Sequence, residues 1–173
     1  MLNSLQYLNF SEHMIEAIKF ALRYNPSPNP RVGAVLVDKN NKIKKITAHK
    51  EKNKDHAEYN LFKNSDITKN DTLYVTLEPC FHDDTSPSCA NAVLETNVQN
   101  IVVGDIDRDE RTNGKGIELL KNNDLNVSIE NGVNDFLNPG YKIKNDKPYL
   151  IGKVATSADH IICLLYTSPS PRD

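Results

Sequence analysis

TLYVTLEPC, residues 72–80, is the stretch that decides the fold. Its first six residues are β-branched, aromatic or leucine side chains, the composition of a strand. Pro79 ends the run, because proline has no N–H to donate to a ladder. The strand therefore delivers Cys80 at its end. Upstream, residues 32–38 predict a strand, 39–41 a turn, and 42–48 its antiparallel partner. Downstream, a helix over 89–96 leads to the strand NIVVG (100–104), then a helix over 116–122 and a strand over 125–129. A helix also starts near His56 and runs to Phe62. A hairpin followed by strand–helix–strand–helix–strand requires the later strands to lie parallel, joined by helical crossovers. The expected fold class is α/β, a three-layer α/β/α sandwich around a mixed sheet. Ahead of the hairpin, Ser11 caps a helix that extends to about Arg23. Ile15, Ile18 and Leu22 share one face of it, widened by Met14 and Ala21. Pro26, Pro28 and Pro30 then force an extended entry into the first strand.

The 173 residues, 38% of them hydrophobic, suit one compact domain with a single core. Lys and Arg total 21 against 23 Asp and Glu, and a net charge of −2 gives no general attraction to nucleic acid. The basic run over 42–54 reads as a solvated hairpin and loop. No apolar run approaches the ~20 residues that span a bilayer. The opening MLNSLQYLNF lacks the basic start and long apolar stretch of a signal peptide. A cytoplasmic protein is expected, with its three cysteines reduced rather than paired.

Three residues then stand out as metal donors. His56 opens HAEYN at a helix start, Cys80 closes the strand, and Cys89 follows after eight residues at another helix start. Zinc takes imidazole and thiolate ligands tetrahedrally, and three protein ligands leave one position for water. The positive end of a helix favours the thiolate that zinc needs. Glu58, two residues after His56, is the carboxyl group placed to move protons between water and a substrate. One alternative is a closed structural site with His82 as the fourth ligand, which leaves Glu58 without a task. The other is a set of buried thiols and a core histidine.

HAE at 56–58 with PC at 79–80 resembles the zinc nucleobase-deaminase signature, whose usual second cysteine follows two residues after the first. The wider spacing here resembles the deaminase half of the bifunctional riboflavin-biosynthesis deaminase/reductase family, RibD. PNPRVGAVLV from Pro28, VTLEPC from Val75, GKGIELL from Gly114 and LNPGY from Leu137 also match that family's pattern. The similarity extends to Ile162. It implies a cytidine-deaminase-like fold, Zn2+ held by His56, Cys80 and Cys89, Glu58 as catalytic proton shuttle, and Asn29 and His49 as substrate contacts. It also implies a small pyrimidine ribotide substrate, deaminated on its ring with release of ammonia, and it allows a homo-oligomer. The charge balance and the absence of a long apolar run give the expectation of no nucleic-acid or membrane partner.

KPYLIGKVATSAD from Lys147 resembles the opening strand of the family's reductase domain. The expected organisation is a deaminase domain over 1–145 and the first strand of a truncated reductase domain over 146–162. NADPH chemistry then belongs to the missing reductase domain. Residues 163–173, CLLYTSPSPRD, resemble the translation of a sequencing-library adapter and are expected to be non-native. Two loops depart from the family. Thr85 stands where a basic residue is common, after Asp83 and Asp84, and residues 107–110 read Asp-Arg-Asp-Glu instead of Asp-Pro-Asn-Pro. Carboxylates near a phosphate repel it, with Arg108 and Arg111 as candidates to offset them. A different zinc deaminase, acting on a free base, a nucleoside or tRNA adenosine, and a non-catalytic zinc module remain the rival readings.

Overall fold

The structure is a computed structural model that describes residues 10–82 and 87–141. Every described residue belongs to one compact unit that ends at Ile143. The expectations for residues 146–173 and for Asp83, Asp84 and Thr85 lie outside the described residues.

Five strands form one mixed sheet. β1 (Gly33–Val37) and β2 (Ile43–Ala48) make the expected hairpin, and β3 (Thr72–Val75) pairs antiparallel with the other edge of β1. β4 (Asn100–Val103) and β5 (Asn126–Ile129) follow in parallel, giving the order β2-β1-β3-β4-β5. Strand alternation divides the core into two faces. Ala34, Leu36, Leu73, Val75, Ile101 and Val103 pack under α2 (Ala57–Phe62), α3 (Cys89–Leu94) and α4 (Lys115–Asn122). On the opposite face, Val35 and Val37 meet Ala17, while Tyr74 and Val102 pack against Met14, Ile18 and Ala21 of α1 (Glu12–Ala21). The three-layer α/β/α expectation is met. Burying β1 completely explains why its GAVLV reads as a continuous apolar run instead of an alternation.

Ser11 caps α1 as expected, its hydroxyl accepting from Met14 N. The buried face of that helix differs from the expected one. His13, Met14, Ala17, Ile18 and Ala21 are buried, Ile15 is half-buried, and Leu22 lies beyond the last turn at 39% exposure. A fifth helix, α5 (Val133–Leu137), was not anticipated. It completes the α1 layer through Val133 and Leu137. Gly132 enters it at φ 86°, a left-handed conformation that glycine adopts without a Cβ penalty. Asp105 then accepts from Gly132 N at 3.0 Å and Asn134 N at 3.2 Å, supplying from a distant loop the cap that the local sequence lacks. No helix among the described residues is long and apolar enough to cross a membrane.

Candidate metal centre and active site

The donor residues sit where strand and helix ends converge. His56 is the N-cap of α2 and makes no side-chain cap bond, so its imidazole serves another purpose. Its Nδ1 lies 3.2 Å from Cys89 Sγ and 3.6 Å from Cys80 Sγ. Cys89 opens α3 behind the Ser88 cap, whose hydroxyl accepts from Asn91 N. The turn carrying Cys80 is tied to the same helix: Ala90 N donates to Cys80 O at 3.1 Å and Cys89 N to Cys80 Sγ at 3.2 Å. All three ligand atoms lie within 4.8 Å of one another.

Tetrahedral zinc with its usual bond lengths separates imidazole nitrogen and thiolate sulfur by about 3.6 Å. The His56–Cys80 distance of 3.6 Å matches that edge, and the His56–Cys89 distance of 3.2 Å is about 0.4 Å shorter. The thiols also meet the chemical demand of a cation. The hydrogen bond from the Cys89 thiol, helped by His56 and by Cys89 N–H, outweighs burial and lowers the Cys80 pKa to about 4. Donating that bond, together with burial, holds Cys89 well above its ordinary value. Cys80 is thus the ready thiolate, and a metal ion would displace the Cys89 proton. His82 does not join the group. Its Nδ1 lies 3.2 Å from Thr112 Oγ1, and among the described residues the donor cluster consists of His56, Cys80 and Cys89. Three protein ligands leave the fourth tetrahedral position open.

Glu58 lies one residue into α2, 3% exposed, beside that cluster. Burial pushes its carboxyl up to about 7, with the His56 charge opposing and Cys80 adding to the rise. A carboxyl balanced near neutrality can both accept and return a proton.

A cavity of about 120 Å³ opens from this cluster. Asn29 and His49 line it together with His56, Glu58 and Cys80. His49 Nδ1 donates to Asp55 O at 3.1 Å, so Nε2 accepts from Asn29 Nδ2, also at 3.1 Å. Burial lowers the His49 pKa and His56 adds to the effect, which favours the neutral ring that this pairing requires. The two residues are 20 apart in sequence; hairpin pairing of Gly33 with Ala48 brings their loops side by side.

Sequence reasoning named no role for Glu78 or Tyr141 on the cavity's other wall. Glu78, Asp107, Asp109, Arg111 and Tyr141 line it. Glu78, 3% exposed, accepts from Asp107 N, Gly114 N and Ile117 N at 3.0, 2.8 and 3.1 Å. A glutamate set among the apolar and proline residues of TLEPC was the available signal for such a buried acceptor. The two arginines proposed to offset the loop carboxylates are employed differently from each other. Arg108 pairs with Asp135 and donates to Tyr141 O. Arg111 lines the cavity and donates from Nε and Nη2 to the two oxygens of Asp109, at 3.1 and 2.9 Å.

Residues 9–105 match the family model described as the cytidine and deoxycytidylate deaminase zinc-binding region. The chain is 34% identical over 120 residues to a diaminohydroxyphosphoribosylamino-pyrimidine deaminase of Buchnera aphidicola, covering 68% of this chain and 81% of that one. It is 36% identical to the riboflavin biosynthesis protein RibD of Aquifex aeolicus, covering 76% of this chain and 38% of the relative. Among solved structures, Acinetobacter baumannii RibD superposes with a TM-score of 0.69 at 33% identity, over 82% of this chain and 40% of that one. The chain thus spans about two-fifths of the length of these RibD proteins.

Proposed function

The chain belongs to the zinc-binding cytidine and deoxycytidylate deaminase family, with RibD-type deaminases among its relatives, and from that premise we propose a riboflavin-pathway pyrimidine deaminase. The proposed reaction converts 2,5-diamino-6-(5-phosphoribosylamino)pyrimidin-4(3H)-one and water to 5-amino-6-(5-phosphoribosylamino)uracil and ammonia. In the proposed organisation, residues 1–145 form the deaminase domain and residues 146–162 the opening strand of a reductase domain; a single strand holds no NADPH site. The proposed setting is the cytoplasm, where Cys80 and Cys89 stay reduced; a homo-oligomer is also proposed.

The convergence of His56, Cys80 and Cys89 on one point, with the buried Glu58 carboxyl beside it, carries this reading. Zinc bound by those three residues would make water acidic enough to attack near neutral pH. Glu58 would take one proton from the attacking water and deliver it to the ring nitrogen next to the reacting carbon, then take the second from the hydroxyl now on that carbon and pass it to the departing amino group. The carbon–nitrogen bond breaks as the new carbonyl forms, and ammonia leaves. Asn29 and His49 hold the ring edge, the amide and imidazole acting as a fixed pair of hydrogen-bonding groups.

The test is ammonia release from the diaminopyrimidine ribotide by the zinc-loaded protein, beside a Glu58→Ala control. Release by the parent and none by the variant, at equal zinc content, is expected. No release from this substrate by the zinc-loaded parent would refute the assignment. One observation favours a second reading: Asp107 and Asp109, both buried, line the same cavity as the donor cluster. Carboxylates there disfavour a phosphorylated ligand, so the assay includes the free base and the nucleoside.

A further inference from the structure

The LNPGY segment has no part in the chemistry above, yet Tyr141 lines the cavity and Asn138 reaches the loop that carries Asn29. Asn138 ends α5 and is 8% exposed. Its Oδ1 accepts from Arg31 N at 2.7 Å, and its Nδ2 donates to Arg31 O at 3.0 Å. One amide therefore engages both backbone groups of a residue 107 positions away, as a neighbouring strand would. The same Nδ2 donates to Asn134 Oδ1 at 3.0 Å, which fixes its rotamer and its O/N assignment.

Arg31 lies two residues after Asn29. Pro30 between them has no N–H, so Arg31 supplies the first backbone donor after Asn29 that can fix this loop. The Arg31 side chain is anchored as well, donating from Nε to Tyr24 O at 3.0 Å. Downstream, His49 N donates to Val32 O at 2.9 Å, which ties the loop to the segment carrying the histidine. The path from Asn138 to the Asn29–His49 pair is therefore short and made of backbone.

We propose that Asn138 is a positioning residue: its amide sets the Arg31 backbone and thereby holds Asn29 against His49 Nε2. The activity arm of this inference rests on the deaminase reading; its spectroscopic arm does not. A shift of the Asn29 loop misplaces a ring-binding group without touching the metal donors. A displacement of about 1 Å in a positioning group costs up to a hundredfold in rate.

The experiment compares Asn138→Ala, Asn29→Ala and the double variant with the parent, all zinc-loaded. Long-range proton–nitrogen spectra of the imidazoles, without substrate, read the His49 Nε2 hydrogen bond. We expect Asn138→Ala to move the His49 Nε2 resonance in the direction that Asn29→Ala moves it, at unchanged zinc content. In the ammonia assay kcat/KM falls tenfold or more in Asn138→Ala. In the Asn29→Ala background the same substitution produces little further loss, because the residue it positions has gone. A His49 resonance unmoved by Asn138→Ala, or losses that multiply independently, overturns the proposal. If Asn138→Ala does not fold, Asn138→Asp takes its place, keeping the acceptor for Arg31 N while losing the donor to Arg31 O. A parent that releases no ammonia refutes the deaminase reading alone, and the spectra still decide the role of Asn138.

Discussion

Glu78→Gln replaces one oxygen of a buried carboxylate by an NH2 group and leaves its size unchanged. In the parent, Oε2 accepts from Asp107 N and Gly114 N, at 3.0 and 2.8 Å, and Oε1 accepts from Ile117 N at 3.1 Å. The glutamine oxygen best retains the two-bond position, which turns its NH2 toward Ile117 N–H. Two donors then face each other at a buried site, and the stranded amide costs about 1–3 kcal/mol. The two remaining bonds lose their charge assistance, adding roughly 1 kcal/mol. The total, about 2–4 kcal/mol, is a large part of a typical domain stability of ~5–15 kcal/mol. At about 4 °C per kcal/mol for a domain of this size, Tm falls by about 8–16 °C. Urea unfolding of the zinc-loaded protein measures the loss directly. Hydrogen exchange locates it: the Ile117 amide, protected in the parent, exchanges faster in the variant. A variant within about 0.5 kcal/mol of the parent, with Ile117 equally protected, would refute the claim that this carboxylate holds the 107–117 segment.

The remaining predictions concern packing, charge and metal. A Cβ on Gly116 would lie 2.2 Å from Pro79 O, so Gly116→Ala must push α4 from the cysteine-bearing turn. A stability loss of at least ~1–3 kcal/mol is expected by urea unfolding, and an unchanged midpoint would contradict the close approach. Burial raises the Asp71 carboxyl, but hydrogen bonds from Lys44 Nζ and Thr68 N, both 2.8 Å, outweigh it and hold the pKa below its ordinary value. Its stabilisation is therefore present above the unfolded carboxylate range and lost as pH falls through the lower folded value. Asp71→Asn should cost about 1–2 kcal/mol at pH 7, with the gap to the parent closing in acid; a pH-independent gap counts against the pair. Cys89→Ser should lose zinc by metal analysis and unfold at lower temperature, because metal binding is partly folding free energy. In the parent, a chelator should lower Tm, and restored zinc should raise it again.

The sequence by itself named the candidate zinc donors and the candidate proton shuttle. His56, Cys80 and Cys89 were legible because zinc accepts few residue types, and because each donor stands beside local punctuation: a helix start, or the proline ending a strand; Glu58 was named from its place two residues after His56. The mixed sheet with its later strands parallel was legible for a related reason, since a hairpin followed by strand–helix repeats leaves few topologies open; the order of the strands came from the structure. What the sequence could not show was decided by long-range contacts. α5 has five residues, too few to display helical periodicity, and its N-terminal N–H groups are satisfied by Asp105 from another loop. The exposure of Leu22 follows from where α1 ends over the sheet, whereas helical spacing alone places it with Ile18. Asn29 and His49 meet only because the hairpin pairs Gly33 with Ala48. The cavity's second wall exists because one glutamate gathers three amides 29, 36 and 39 residues away. Ligand type and local punctuation are written within a few residues. The partners of buried backbone groups are not, because every buried N–H must find an acceptor and the nearest one in space can lie anywhere along the chain.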